Sequence, residues 1–510
     1  MRTHAPRQQG ISRREVLKVG AGAVIGGATA SLLPWERRVT ASTPPSAAQA
    51  PEELFRELDT KIEAGMARYR IPGVAIGVLY QGQEYVRGYG VTNVDEPAPV
   101  HGDTLFRIAS TTKTFTGTTV MRLVELGQLD LNAPVRGYLP DFRVADEAVS
   151  SQVTLRQCLN HSAGWVGDDE EDFGRGDDAL TLYVDGMRRL PQLTPPGAQF
   201  AYNNTAIDVA GRIIEVVTGQ TYEGAVRELL LDPLGLSRTR FFTDQVAGYP
   251  IAGSHTVAGD RAVFSPDLWY LPRNGHPDGG LISSVRDQLQ YARFHMGDGR
   301  TFDGTPLLTP ASLQAMRADP GPGGTLVAEL DGFGVTFGLR RTAEGVRVAM
   351  HGGSWAGQYS GFFFVPERNF AMTMLSNSDG GMKLRLELFY DDWALQRFAG
   401  LHNPPAEPRR LPATRLAEYE GTYRNLGIDR AGNWEETLLT VQANDGALRG
   451  ELADSNGVSE MGLAFYRDEY VLVERDGSDP PGSYRANFVR DADGRVAWWS
   501  YGGRLYAREG

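Results

Sequence analysis

The chain has 510 residues, of which 41% are hydrophobic and 22% charged, and its formal net charge is −12. That length allows two or three domain cores, and the composition excludes wholesale disorder, a collagen-like repeat and a polytopic membrane protein. The acidic balance argues against a nucleic-acid partner, and a single cysteine, Cys158, excludes an intramolecular disulfide or a Cys-x-x-Cys metal site.

Residues 1–50 read as an address. Arg13-Arg14 precedes an uncharged, Gly- and Ala-rich stretch over 19–34, too short and too weakly apolar for a comfortable transmembrane helix. The arginine pair resembles a twin-arginine export signal, and Ala48-Gln49-Ala50 supplies a small-x-small cleavage site. The expectation is an exported protein, periplasmic or extracellular, with no stable membrane anchor once 1–50 are removed. The remainder carries 44 basic and 61 acidic residues, a net charge of −17.

Leu54, Leu58, Ile62 and Met66 recur at helical spacing and predict a helix over 52–70, stopped by Pro72-Gly73. Residues 74–80 and 84–89, around Gln81-Gly82, read as a hairpin. Helices are predicted over 114–126, 205–217 and 285–296. Residues 346–350, 359–365 and 370–375 read as three successive strands, with turns at 351–357 and 366–369. Pro404, Pro405, Pro408 and Pro412 then mark a semi-rigid linker over 402–412. Beyond it come strand-like runs at 421–423, 438–441, 448–452, 470–473, 484–489, 496–501 and 505–507. Turn signals at 444–446, Asp476-Gly477 and Asp493-Gly494 separate some of them, which predicts a small antiparallel barrel or sandwich.

Lysine is scarce: only Lys18, Lys61, Lys113 and Lys383 occur. Of these, Lys113 alone has a serine three residues upstream, in Ser110-Thr111-Thr112-Lys113. On a helix that spacing sets a hydroxyl beside an ammonium. A serine needs a nearby base to act as a nucleophile, and arginine would fail there because it cannot release its proton. Tyr202-Asn203-Asn204 precedes the helix over 205–217; a tyrosine near a lysine can shuttle a proton, and Asn204 can bind both the lysine and a substrate carbonyl. His351-Gly352-Gly353-Ser354 ends the strand over 346–350, and its glycines let a substrate backbone lie against that strand. Each motif also has a plain structural reading, and the same spacings recur at Tyr423-Arg424-Asn425 and His295-Met296-Gly297. No His-Glu-x-x-His, P-loop or dinucleotide fingerprint is present, and Gly352-Gly353-Ser354-Trp355-Ala356 fails the nucleophile-elbow pattern at its last position. No cofactor and no resident metal are expected.

Ser-x-x-Lys, Tyr-x-Asn and His-x-Gly in this order resemble the serine hydrolases of the class C β-lactamase and penicillin-binding protein superfamily, over about 52–400. Leu159-Asn160-His161-Ser162-Ala163-Gly164-Trp165, Pro233-Leu234-Gly235-Leu236 and Gly279-Gly280-Leu281-Ile282-Ser283-Ser284 with Asp287 are similar to further stretches of that family. The region after Pro412 resembles the lipocalin-like barrels attached to some members. The resemblance implies an α+β fold, an antiparallel sheet flanked by helices plus a helical subdomain over 51–401, then the linker and a small all-β barrel over 413–510. It also implies acyl transfer to Ser110, with Lys113 and Tyr202 as the base system and Asn204 orienting Lys113 and the substrate. The backbone N–H groups of Ser110 and Ser354 would form an oxyanion hole. Gly353 and His351 would face a small-molecule or peptide substrate.

Class C β-lactamases carry lysine where His351 stands; histidine there is more like the peptidases and esterases of the superfamily. The expected activity is therefore a peptidase of D-amino-acid or carboxypeptidase type, or a carboxylesterase. The alternatives are a class C-like β-lactamase and a catalytically silent penicillin-binding or sensor module. Two features stay open in the sequence. The acidic loop over 168–178 reads as an attractor of a cationic substrate or Ca²⁺, or as a solvated surface loop. Trp165, Trp269, Tyr270, Trp355 and Tyr359 read as a pocket or as core.

Overall fold

A computed structural model describes residues 51–444, 446–455, 457–475 and 484–509. The export signal read over 1–50 and the turn read at Asp476-Gly477 lie outside the described residues. Helix α1 (Pro51–Tyr69) buries Leu54, Phe55, Leu58, Ile62 and Tyr69, the stripe that its sequence spacing predicts. Strands β1 (Gly73–Tyr80) and β2 (Gln83–Gly90) form the expected hairpin, with Gln81 and Gly82 both at positive φ in the turn. The remaining strands of the main sheet are β3 (Gly332–Phe333), β4 (Gly338–Arg341), β5 (Arg347–Trp355), β6 (Gln358–Val365) and β7 (Phe370–Ser376). All neighbours are antiparallel in the order β2-β1-β7-β6-β5-β4-β3.

Both faces of this sheet are covered, so its central strands read as unbroken apolar runs rather than as alternation. Phe363, Val365, Phe370, Met372 and Met374 pack on the α1 side. Their neighbours Phe362, Phe364, Ala371 and Leu375 pack on the opposite side, against the helical subdomain. That subdomain is built around α2 (Thr112–Glu125), α3 (Asn204–Thr218) and α4 (Val285–Met296). No helix among the described residues is long and apolar enough to cross a membrane.

Eight further strands close an antiparallel barrel: β8 (Gly421–Ile428), β9 (Trp434–Asn444), β10 (Ala447–Asp454), β11 (Gly457–Arg467), β12 (Tyr470–Glu474), β13 (Tyr484–Arg490), β14 (Val496–Tyr501) and β15 (Arg504–Arg508). The sequence reading missed β11. Its inward residues Met461, Leu463 and Phe465 alternate with small or half-buried ones, and Val458 points to solvent, which dilutes the period-two signal.

A second correction bears on the site. The strand read as ending at Met350 runs on to Trp355, paired with β6 from His351↔Phe362 to Trp355↔Gln358. The turn is only Ala356-Gly357. On its other side β4 stops at Gly338, opposite Met350, so His351–Trp355 forms an edge that β4 leaves open.

Candidate active site

Ser110 sits in a one-turn 3₁₀ segment, Ala109–Thr111, that leads into α2. Ala109, just before it, has φ +45°, a left-handed conformation that costs a residue with a Cβ about 1–3 kcal/mol. Several contacts hold the turn in place. The Ile108 carbonyl accepts from Thr111 N at 3.2 Å and from Ser360 Oγ at 2.7 Å. Strand β5 lies hard against that carbonyl: a Cβ on Gly353 would stand 2.0 Å from Ile108 O, so only glycine permits the approach.

Lys113 is fully buried, and its ammonium has three acceptors. They are Ser110 Oγ at 3.1 Å, Asp278 O at 2.7 Å and Asp278 Oδ2 at 3.1 Å. Three acceptors match the three donors of a protonated lysine. Asp278 reaches this point because residues 276–282 wrap α2. Thr116 Oγ1 donates to Pro277 O at 2.6 Å, and Leu281 N donates to Thr112 Oγ1 at 3.1 Å. One turn away, Glu223 joins Arg273 at 2.9 Å and His276 at 2.6 Å. Those partners hold the Glu223 carboxyl down at about 2. The sequence reading did not single out Asp278; its only signal was its place beside Gly279-Gly280.

Tyr202 and Asn204 approach from the start of α3, where Asn203 caps the helix by accepting from Ala206 N at 2.7 Å. The Tyr202 ring lies over Lys113, its centroid 5.2 Å from Nζ, and stacks on the His161 ring at 4.2 Å. Asn204 does not orient Lys113, the role read for it from the sequence. The lysine's donors are taken by Ser110 and Asp278, and Asn204 Nδ2 donates to Asp168 Oδ1 at 2.8 Å. Its Oδ1 is buried with no partner.

His351 Nδ1 donates to the Gly352 carbonyl at 2.7 Å, so the neutral ring presents Nε2 as a bare acceptor, buried and unpartnered. Burial, reinforced by the Lys113 ammonium, holds its pKa down at about 3. His161 is likewise held neutral by burial and by Lys113. Its Nδ1 accepts from Asn203 N at 3.0 Å. Ser354 is exposed on the open edge of β5, where its Oγ accepts from Arg385 Nη2 at 3.1 Å. Arg385, also absent from the sequence reading, ties the Gly353 and Ser360 carbonyls together at 2.6 and 3.0 Å.

The acidic loop is half-buried over Asp168–Gly174, where arginines and the barrel pair with it, and exposed over Arg175–Asp178. Asp169 and Glu171 bind Arg189, Asp177 binds Arg273, and Asp168 binds Arg504 of the barrel in a two-point pair at 2.8 Å. Backbone bonds run from Ile428 N to Asp168 O and from Glu170 N to Ile428 O, both at 2.9 Å. No group of three or more potential metal ligands occurs among the described residues.

Asn204, Asp208, Asp278, Trp355, Tyr183 and Arg430 line a small cleft of about 40 Å³ beside the lysine. Of the other aromatics, Trp165 and Tyr359 are buried, Trp269 lies over Arg107, and Tyr270 stands against Arg175 and Arg430. The two look-alike motifs are structural. Tyr423 donates to Tyr419 O inside the barrel, and His295 bonds Thr118 inside the helical core.

Comparison with known proteins gives a consistent picture. The family model described as Beta-lactamase matches residues 58–396. Penicillin-binding protein 4 of Amycolatopsis lactamdurans is 32% identical over 372 residues, 72% of this chain and 97% of that protein. The unguisins hydrolase ungD of Aspergillus violaceofuscus is 26% identical over 472 residues, 81% of each. The crystal structure of SurE, a protein also crystallised with D-Leu, superposes with a TM-score of 0.70 at 28% identity, covering 90% of this chain and 100% of SurE.

Proposed function

The chain belongs to the beta-lactamase family, whose members are usually serine hydrolases, and from that premise we propose that it is an exported hydrolase working through an acyl-enzyme on Ser110. The observation that carries this is the buried contact of Lys113 Nζ with Ser110 Oγ at 3.1 Å, on the turn that the edge of β5 overlies. Ser110 Oγ attacks a substrate carbonyl lying along that edge, and its proton passes to whichever of the base pair Lys113 and Tyr202 is deprotonated at that step. The N–H groups of Ser110 and Ser354 take the oxyanion, the leaving group departs with a proton, and water hydrolyses the ester. The Arg13-Arg14 run and the small-x-small site at Ala48 support export.

The substrate reading is a peptidase of D-amino-acid or carboxypeptidase type, or a carboxylesterase, ahead of a β-lactamase. A neutral His351 that offers only an acceptor at Nε2 suits an N–H or O–H of the substrate and holds a carboxylate poorly. The unguisins hydrolase among the relatives and the crystal structure of SurE with D-Leu support the same ranking. The test is labelling of the folded protein by a fluorophosphonate probe, followed by turnover of p-nitrophenyl esters, D-alanyl peptides and nitrocefin. Stoichiometric labelling that is lost in Ser110→Ala is expected. An unlabelled Ser110 would favour a silent binding module, and nitrocefin turnover at the ester rate would favour a β-lactamase.

A further inference from the structure

We propose that the barrel completes the active site: Arg504, acting through Asp168, is a positioning residue for Asn204, while the Gly503 carbonyl fixes Tyr202. The inference rests on the acyl-enzyme reading above. Its geometry is a continuous set of contacts from the β14–β15 turn to both ends of the Tyr202-Asn203-Asn204 motif. Arg504 Nε and Nη2 each bond an oxygen of Asp168 at 2.8 Å, and Asp168 Oδ1 in turn accepts from Asn204 Nδ2 at 2.8 Å. A planar guanidinium fixes both oxygens of a carboxylate at once, so Arg504 sets the direction in which Asp168 meets the amide. With Nδ2 committed to Asp168, the Asn204 amide is turned so that Oδ1 is the end left over, buried and unpartnered on a residue that lines the cleft.

The same turn holds Tyr202 in two ways. Its backbone N donates to Gly503 O at 2.7 Å, and the Arg504 guanidinium lies 4.8 Å from the centre of its ring. Gly503 has φ +79°, and a Cβ there would stand 2.9 Å from Tyr202 Cβ, so this close approach requires glycine. The Tyr202 ring is thus placed between Arg504 and Lys113, which lies 5.2 Å from the same centroid. A barrel packed elsewhere would leave the Ser110–Lys113–Asp278 group assembled, while Tyr202 and Asn204 would keep His161, Gly167 and Asp168 but lose Gly503 and the guanidinium that orients Asp168.

The experiment uses the full-length protein and compares Arg504→Met, Arg504→Lys and Asp168→Asn with the wild type. Ester turnover, fluorophosphonate labelling and thermal melting are measured on each. Partners that orient a functional side chain are worth about 10- to 100-fold in rate, so Arg504→Met should lose that much in kcat with KM changed less than about threefold. Arg504→Lys should recover part of it, and Ser110 should still be labelled, more slowly. The Arg504→Met and Asp168→Asn losses should not add, because both break one chain of contacts. If Arg504→Met does not fold, Asp168→Asn decides, since its side chain is partly exposed and its amide still offers an oxygen to Asn204. Wild-type kcat in the folded variants, or a loss confined to KM, overturns the proposal. A wild type that the probe does not label overturns the acyl-enzyme reading instead.

Discussion

The two halves of the site are held in different ways. Ser110, Lys113 and Asp278 belong to one domain and are locked around a buried helix, where hydroxyls and carbonyls satisfy one another. Tyr202 and Asn204 sit at a seam, and part of their support, Gly503 and the Arg504 that orients Asp168, comes from the other domain. The first half holds the nucleophile; the second brings Tyr202 and Asn204 to it. The first half needs burial and three acceptors around one ammonium; the second needs a docked partner.

Removing the nucleophile half outright should have the largest effect. Ser110→Ala should abolish probe labelling and lower ester turnover by a factor on the order of 10⁶, with Lys113→Met close behind. Ser110→Ala should melt near the wild-type temperature with the barrel still docked, whereas Lys113→Met breaks the buried pair with Asp278 and should lose about 3–5 kcal/mol of stability. A Ser110→Ala protein that keeps its esterase rate would place the chemistry elsewhere and dissolve the comparison.

Asp278→Asn sharpens it. The amide keeps the size of the side chain and can still accept from Lys113, but the ammonium loses its buried counter-charge. A loss of about 10- to 100-fold in kcat is expected, with labelling slowed in proportion. Normal labelling would remove Asp278 from the nucleophile half.

This division also explains what could be read in advance. Ser110 and Lys113 are three residues apart on one helix, so their meeting is written in local spacing. The paired strands and α1 were legible because burial on one or both faces leaves periodic or continuous apolar runs. Asp278 is 165 residues from Lys113 and Arg504 is 336 from Asp168, and no periodicity records contacts of that span. The acidic loop stayed open for the same reason: the arginines that pair with it, 189, 273 and 504, lie outside it. Residues 351–357 read as a turn, yet 351–355 continue β5, and Gly353 lets that strand lie against Ile108.

His351→Lys probes the face that both halves present to substrate. The neutral acceptor at Nε2 would become a charged donor, and a charge-assisted hydrogen bond to a carboxylate is worth about 1.5–3 kcal/mol. The ratio of nitrocefin to ester turnover should rise about tenfold, read by parallel assays, while the absolute ester rate does not improve. An unchanged ratio would mean that position 351 does not meet the substrate.

The smallest expected effect concerns acid. Burial and the Lys113 ammonium hold His351 neutral down to about pH 3 in the folded chain, whereas an exposed histidine takes its proton near pH 6.5. Between those values the unfolded chain binds one proton more than the folded one. This contribution to stability is therefore fully present above about pH 6.5 and is lost as the pH falls towards 3. A single group of this kind tilts stability by at most about 1.4 kcal/mol per pH unit. His161, held neutral by the same causes and stacked on Tyr202, adds to the slope in the same direction. The thermal midpoint should fall as the pH drops below about 6.5, and His351→Gln should flatten that fall by up to one proton's worth. An equally steep fall in His351→Gln would mean that the ring accepts a proton without cost. It would then no longer be the dry acceptor on which the ranking of a peptidase or esterase above a β-lactamase depends.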